Sequence, residues 1–478
     1  MTIVPPHEAA CFETTKRLLA SLINEGLVSG VIEEPKEESP RRLHLRKNDC
    51  RSTEDDSVVV HTTPGALIED RDGEVLPTLE PSMLCSPIIL TCTAMQKRVI
   101  DPGEIFSFIS PWFEGLASPS ILEEIARHLQ NSGSNQVTQE DIPAMLTPGV
   151  TFLSLPRSQL HFAGPFDDAL QPLLQTLGIP RVSENRAVVP CLTQQLPSVM
   201  QRFPGASILR SVIDCADAQA SLRTITLRPE LKFPFHLKLS LACQITSALR
   251  TITPWSAQGG PIVTKIMDQF LPPDLWTFRE IAAVTGNQTE FDDAKHLSCI
   301  LREDQEERTR ANNEVLIIAA ALNQQPQGTS QPYAEILFNL QTIAQKQEWF
   351  QKYVECLLNL LLPPLVNHGI GLEAHGQNIL ARVCRKTGKI KGFAVRDFGG
   401  IRLHTPTLRR QGVCFDAMFP GWAVMTEDMN DVWGKIHHSL LQNHVGFLLN
   451  SLGLQRNGGW RIIPIQQETS VLCVKSTV

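Results

Sequence analysis

The chain has no CxxC pair, no uninterrupted apolar run of membrane-spanning length and no excess of positive charge. Its 12 cysteines are scattered. Disulfide frameworks and structural zinc sites need tighter spacing, so the thiols are read as reduced and mostly as small core residues. The longest apolar stretch, VECLLNLLLPPLV at 354–366, is cut by two prolines and is too short to cross a bilayer. A net charge of −7 over 478 residues excludes the basic stripe that a large nucleic-acid footprint needs. A small anionic substrate stays compatible with it, because a local cluster of Arg and Lys can sit inside an acidic protein. The opening MTIVPPHEAACFETTKRLLASL lacks a basic region followed by an apolar core, so no secretory leader is read and a cytoplasmic protein is expected. Also missing are a G-x-G-x-x-G after a strand, a Walker A loop and a G-x-S-x-G elbow. Their absence removes the common dinucleotide-binding, P-loop and α/β-hydrolase readings.

What is present is an ordinary globular composition, 42% hydrophobic and 19% charged, in a chain long enough for two to four domain-sized units. Residues 7–28, 118–133, 165–180 and 426–454 carry apolar positions at helical spacing, several closed by Gly or Pro. VTFLSLPRSQLHF (150–162) alternates as a strand, 186–204 reads as a strand entering a helix, and 220–254 is strand-rich. The charged stretch 33–57 reads as a loop or insertion, and its RRLHLRK as a solvated charge run. Strands and helices mix without regular βαβ alternation, which predicts an α+β fold. The expected partition is a helical and mixed part over 1–180, a strand-rich centre over 181–335 and a C-terminal part over 336–478.

Two constellations carry chemistry. The first lies in GLEAHGQNILARVCRKTGKIKGFAVRDFGG, 371–400. Two antiparallel strands joined by the turn at 385–389 bring Asn378 and Asp397 side by side at the open end of the ribbon. Asn and Asp oxygens there suit a hard cation such as Mg²⁺, which commonly bridges nucleotide phosphates. His375 can donate to a phosphate or a carboxylate. Any one of these residues alone is more simply a turn cap. Kinases use a similar Asn and Asp pair. A small-molecule kinase, however, would have HGD where this chain has HGQ, and Gln377 cannot accept a substrate proton.

The second constellation is ASLRTI followed by HLKLSLACQITSALRTITP. It sets Ser221, Arg223 and Thr224 at the start of one strand, with Lys238, Thr246 and Arg250 on the segments that follow. A cation on a half-buried strand needs an anionic partner, and an internal carboxylate is the commonest one. Acidic residues are sparse in this stretch, which points instead to a bound polyanion such as a triphosphate or a polycarboxylate.

Taken in this order, ASLRTI, HLKLSLACQITSALRTITP, GIGLEAHGQN and RDFGG resemble the IucA/IucC family. These are siderophore synthetases that work independently of nonribosomal peptide synthetases (NIS synthetases), and the wording is nearest to fungal members. The resemblance covers most of residues 120–450. It implies a cupped three-part fold of thumb, fingers and palm, the palm distantly kinase-like. It implies an AMP-forming ligase that uses ATP and Mg²⁺ to adenylate a carboxylate, usually on citrate, and hands the acyl group to an amine or alcohol. Carried over by position, Ser221, Arg223, Thr224 and Lys238 would hold ATP. Glu373, Asn378 and Asp397 would serve nucleotide and metal, Asn378 and Asp397 being the metal ligands. Thr246, Arg250 and His375 would hold the carboxylate, and Ser221, Arg250 and His375 would act in catalysis. Arg396 would orient the corner. Such a protein takes small-molecule substrates, with no nucleic acid or membrane partner, and family members are often homodimers. The chain departs from the family at 131–150, which lacks His, Lys and Arg, and at Pro190-Cys191-Leu192-Thr193, where His-Pro-Trp-Gln is usual. It also shows no counterpart of the family's last basic segment. A catalytically impaired binding protein and a kinase-like phosphotransferase are the alternatives.

Overall fold

The computed structural model describes the chain apart from residues 1–5, 34–40, 49–55, 114–117, 127–141, 246–247 and 463–478, and short breaks at 65, 67, 69, 72–73, 76–78, 93–94, 124 and 327. Contacts divide the chain into two compact units, Met1–Ile142 with Ala242–Arg250, and Pro143–Leu241 with Thr251–Val478. The boundaries expected at 180 and 335 are both crossed by strand pairings inside the second unit.

In the first unit α1 (Pro6–Asn24) lies in the predicted place. A seven-stranded sheet follows, built from β1 (Ser29–Glu33), β2 (Arg42–Arg46), β3 (Ser57–Thr62), β4 (Asp70–Arg71), β5 (Glu74–Val75), β6 (Leu84–Cys92) and β7 (Met95–Arg98). Its order is β4-β5-β1-β2-β3-β6-β7. The RRLHLRK run is therefore not a loop. Leu43 and Leu45 are fully buried on one face of β2 while its charges point the other way, a period-two pattern hidden by the flanking charge. Leu19, Leu43, Val58, Ile88 and Ile105, the last on α2 (Pro102–Ile109), belong to one apolar core. Residues 119–123 and 125–126 of the helix expected at 118–133 are helical, and 127–141 lie outside the described residues.

The second unit is built on two sheets that matter for function. The segment read as one strand at 150–162 is two, β8 (Val150–Pro156) and β9 (Leu160–Ala163), separated by a 3₁₀ turn after Pro156. β10 (Arg186–Leu192), which follows α3 (Phe166–Thr176), pairs with β8, as does β11 (Ser207–Val212). α4 (Leu196–Arg202) follows β10 as expected. A six-stranded antiparallel sheet runs β12-β13-β14-β19-β18-β9. Its further strands are β12 (Ala216–Ala218), β13 (Thr224–Leu227), β14 (Phe235–Leu239), β18 (Glu280–Gly286) and β19 (Ser298–Glu303). Between β14 and β18 come the small ribbon β15 (Gln244–Ile245) and β16 (Ala248–Leu249) of the first unit, then α5 (Pro254–Phe270) and β17 (Leu275–Thr277). β20 (Glu314–Ile318), α6 (Ile343–His368) and β21 (Ile370–Gly371) lead to the predicted hairpin, β22 (Ile379–Cys384) and β23 (Ile390–Val395). The hairpin sits in a four-stranded sheet ordered β17-β23-β22-β20. β24 (Arg402–His404) and β25 (Met425–Thr426) join β21 in a small three-stranded sheet.

α6 explains the rigidity of the hairpin. Thr342 and Gln345 form a capping box at its start, and Gly369 closes it in the left-handed region at φ 65°. Phe350, Tyr353, Val354, Leu357, Leu361 and Leu365 recur at helical spacing, fully buried against a core that includes Ile379, Phe393 and Phe398. Each such side chain gains roughly 1.5–3 kcal/mol on leaving water. No helix among the described residues is long and apolar enough to cross a membrane.

One glycine ties this framework to the charged centre. A Cβ on Gly260 of α5 would lie 2.3 Å from Glu280 Oε2 and 3.2 Å from Glu280 Cβ, so α5 can press on β18 only without a side chain there. Gly260→Ala should therefore lower stability by roughly 1–3 kcal/mol. A urea midpoint equal to that of the wild type would show that the contact yields freely.

Candidate functional site

The chain passes from β17 into β18 across the junction of two sheets, where the Phe278 amide donates to the Val395 carbonyl at 2.9 Å. This brings β14, β18 and the open end of the β22–β23 hairpin to one place. Ile379 and Val395 are paired residues, and the Arg396 amide donates to the Asn378 carbonyl at 3.0 Å. Asn378 and Asp397 thus flank the end of the ribbon as the sequence predicts.

Lys238 is at the centre. It is 2% exposed, and its Nζ donates to Asp397 Oδ1 at 2.9 Å and to Glu280 Oε1 at 3.1 Å. The expectation of a missing internal partner is corrected here: the carboxylates come from 42 and 159 residues further on. Arg223 adds a second cation, its Nη2 lying 3.9 Å from Asp397 Oδ2 while Nη1 donates to the Thr251 carbonyl at 2.6 Å. Burial alone would raise the Asp397 carboxyl; Lys238, Arg223 and Arg302 more than offset it and hold the group well below the usual carboxylate range. Asp397 is therefore an anion at every physiological pH. Its backbone is in the left-handed region at φ 69°, as is Leu222 at φ 59°. Leu222 forms the centre of a tight turn in which the Arg223 amide reaches the Ser221 carbonyl at 2.7 Å. Non-glycine residues in this region cost on the order of 1–3 kcal/mol, a strain that collects at functional sites. Ser221 Oγ donates to Thr224 Oγ1 at 3.0 Å within the same turn.

The sequence reading missed Arg302 and Gln219. Arg302, on β19 directly opposite Glu280, is 2% exposed. Its Nη2 donates to Gln219 Oε1 at 2.7 Å, and Arg396 Nη1 donates to the same oxygen at 3.1 Å. The signal was faint, because an Arg inside the apolar strand SCILRE looks like an edge charge. Gln377, the residue that replaces a kinase base, donates from Nε2 to the Ala220 carbonyl at 3.1 Å, and its own carbonyl accepts from Arg396 Nε at 3.2 Å. The loops 219–224 and 374–378 are thereby fastened to each other.

A second cluster surrounds Glu373. Lys435 Nζ lies 3.1 Å from Oε1, and Asn378 Nδ2 donates to the Glu373 carbonyl at 3.2 Å and to Oε2 at 3.4 Å. Asn378 Oδ1 takes no part in those bonds. A Cβ on Gly400 would fall 2.1 Å from Glu373 Oε2, so the second Gly of RDFGG makes room for this carboxylate. His375 Nε2 is 3.9 Å from Glu373 Oε2, beyond hydrogen-bond reach. Burial holds its imidazole below the ordinary value, against the pull of Glu373 and Asp397.

Beneath this loop the segment between α7 (Met429–Ile436) and α8 (Phe447–Ser451) departs from the expected 3.6-residue period. His437–Gly446 is a π-helix. Its wider turn places residues five apart on one face. Ser439 Oγ accepts from the Ala374 amide at 3.1 Å, and His444 Nδ1 donates to the Ala374 carbonyl at 3.0 Å. With Nδ1 protonated, His444 Nε2 accepts from the Tyr353 hydroxyl at 2.8 Å. The residue between Glu373 and His375 is clamped at both backbone groups.

The structure thus brings together Ser221, Arg223, Thr224, Lys238, Glu373, His375, Asn378 and Asp397 in the second unit. Arg250 belongs to the first unit, and Thr246 lies outside the described residues. Full burial pushes His444 down to about 4. The unfolded chain therefore binds this proton first. The stability that depends on a neutral His444 is complete above about pH 6.5 and is lost toward pH 4, to a limit of about 3 kcal/mol. The stability deficit of His444→Gln relative to the wild type should shrink as pH falls from 7 to 4 in chemical denaturation. A deficit independent of pH would rule out a buried neutral imidazole.

Comparison with known proteins gives the chain's family. Two family models match: the IucA / IucC family over residues 207–324, and the ferric iron reductase FhuF-like transporter over residues 347–461. The NRPS-independent siderophore synthetase-like protein ankE of Aspergillus thermomutatus is 43% identical over 97% of this chain and 86% of its own length. The NRPS-independent siderophore synthetase rfs of Rhizopus delemar is 32% identical over 66% of this chain and 52% of its own. The D-ornithine–citrate ligase of Staphylococcus aureus is 26% identical over 50% of this chain and 40% of its own. Among solved structures, the petrobactin biosynthesis protein AsbB from Bacillus anthracis superposes with a TM-score of 0.70 at 16% identity, covering 96% of this chain and 86% of that one. The ATP-bound aerobactin synthetase IucA from Klebsiella pneumoniae gives 0.61 at 14% identity, covering 96% and 89%. Sequence identity along nearly the whole length, over a shared fold, shows that the chain belongs to the NRPS-independent siderophore synthetases of the IucA/IucC family.

Proposed function

We propose that this protein is a ligase that activates a carboxylate of citrate, or of a related polycarboxylic acid, with ATP. The carboxylate oxygen attacks the α-phosphorus and pyrophosphate leaves. An amine or alcohol then attacks the acyl carbon, forming an amide or ester and releasing AMP. The product is a siderophore or a related secondary metabolite. The observation that carries this reading is the buried Lys238, shared between Glu280 and Asp397 with Arg223 alongside.

ATP is the substrate that this cation set suits. Arg223, Lys238 and the Ser221–Thr224 turn offer donors to its phosphates. They hold two mutually repelling anions in attack geometry, so no enzyme nucleophile is needed. The oxygen set of Asp397, Asn378 and Glu373 fits Mg²⁺ rather than a softer metal. Among the described residues no three His, Cys, Asp or Glu side chains gather to hold a metal ion, so phosphate and water oxygens would complete the shell. When bound, the metal would supply charge neutralisation at the phosphates. His375, kept neutral, can donate one N–H to the substrate carboxylate. Thr246 and Arg250 are assigned to that carboxylate on the family resemblance. A cytoplasmic location is the one this reading assigns, since ATP is supplied there.

Purified protein with ATP–Mg²⁺, citrate and hydroxylamine as a surrogate nucleophile should release pyrophosphate and AMP only when citrate is present. ADP would favour a kinase-like phosphotransferase, and absence of both products and of ATP binding would favour a binding protein. Asp397→Asn should reduce kcat/KM for ATP on the order of 10²–10³-fold with the fold retained by circular dichroism. An unchanged metal requirement would sink the corner assignment. Arg250→Ala should abolish citrate-dependent turnover in a folded protein; near-normal turnover would remove Arg250 from the site.

A further inference from the structure

Gln219 occupies a position where a carboxylate is the ordinary choice. Its single amide oxygen accepts from two buried guanidinium groups, Arg302 and Arg396. Arg302 is 2% exposed and Arg396 5%, and neither has a carboxylate within ion-pair distance among the described residues. Each keeps a buried nitrogen without a hydrogen-bond partner, Nε of Arg302 and Nη2 of Arg396. Burying a charge without a counter-charge is costly, and proteins usually avoid it. Asp304 acts on Arg302 at longer range and is engaged with His236 at 3.3 Å. Among the described residues the group formed by Arg223, Lys238, Arg302 and Arg396 thus has Glu280 and Asp397 at its centre and Asp304 farther off, four cations against three carboxylates, one of them already engaged with His236.

We infer that Gln219 is a positioning residue that fixes Arg302 and Arg396 without neutralising them, so that their charge is reserved for the triphosphate of the incoming nucleotide. The inference rests on the nucleotide reading above. Neither buried guanidinium touches the phosphates. Both act through the field at Arg223, Lys238 and Asp397, and low-dielectric surroundings extend its range. The amide also orders the site. Gln219 Nε2 donates to Thr226 Oγ1 at 3.0 Å, and its backbone amide donates to the Thr224 carbonyl at 2.8 Å, so the acceptor is rigid at the base of the Ser221 turn. A carboxylate in the same place would bind both guanidinium groups better and would cancel the excess charge.

Gln219→Glu tests this. Isothermal titration with ATP–Mg²⁺ and with inorganic triphosphate would be compared with thermal midpoints for the wild type and the variant. The expected result is a midpoint equal to or above that of the wild type, with both ligands bound at least roughly tenfold more weakly. A role confined to packing moves midpoint and affinity in the same direction. Arg302→Met provides a second arm: it should lower the midpoint and also weaken triphosphate binding. Wild-type affinity for triphosphate in either folded variant overturns the inference, as does a Gln219→Glu midpoint well below the wild type. A wild-type protein that binds neither ligand overturns the nucleotide reading and this inference together. Wild-type binding that persists unchanged in Gln219→Glu overturns the inference alone.

Discussion

A single buried ammonium organises the second unit. Lys238 has lost almost all contact with water, so two carboxylates must reach it, and they come from different sheets: Glu280 from β18, Asp397 from the end of β23. Satisfying one cation therefore fixes where the six-stranded and four-stranded sheets meet. It also fixes Asp397 as an anion, with its backbone held at φ 69°. The close approach of α5 at Gly260 follows from the same demand, since a Cβ there would strike Glu280; Gly400 makes comparable room for Glu373 in the neighbouring cluster.

The loops around this centre are secured by bonds that have little to do with hydrophobic burial. Gln377 and Arg396 hold the 374–378 loop against the Ser221 turn, and the π-helix grips Ala374 from below. The Gln of HGQN thus has a structural task that an Asp could not perform, because a carboxylate cannot donate to the Ala220 carbonyl. The difference from a kinase base is part of how the site is built. The π-helix has a comparable logic. Only a helix with five-residue register presents Ser439 and His444 to one peptide unit.

Much of this was legible in the chain. The hairpin at 379–395 has strong strand residues, a TGK turn and polar ends, and its register followed from the turn. The pairing of Asn378 with Asp397 came from that geometry alone. The helices at α1, α3 and α4 were marked by period or by a Gly or Pro stop, whereas α6 was not read as a helix, because the two prolines in its apolar stretch drew attention to a break. The less legible parts share one cause. β2 was masked because its buried positions, Leu43 and Leu45, are only two among basic neighbours. The break between β8 and β9 depends on a turn after Pro156 that an alternating apolar pattern runs straight through. Arg302 and Gln219 carried no motif at all.

The sequence by itself determined the α+β class, the two charged constellations and the family they resemble, because period, turn chemistry and motif order are local properties. Tertiary structure alone decided what each charge faces. Lys238 and Asp397 stand 159 residues apart, and no local rule pairs them. Nor does any local rule say that two buried guanidinium groups will share one amide oxygen instead of a carboxylate. Electrostatic energy inside a protein depends on distance and burial, and both are set only when the sheets have closed on one another.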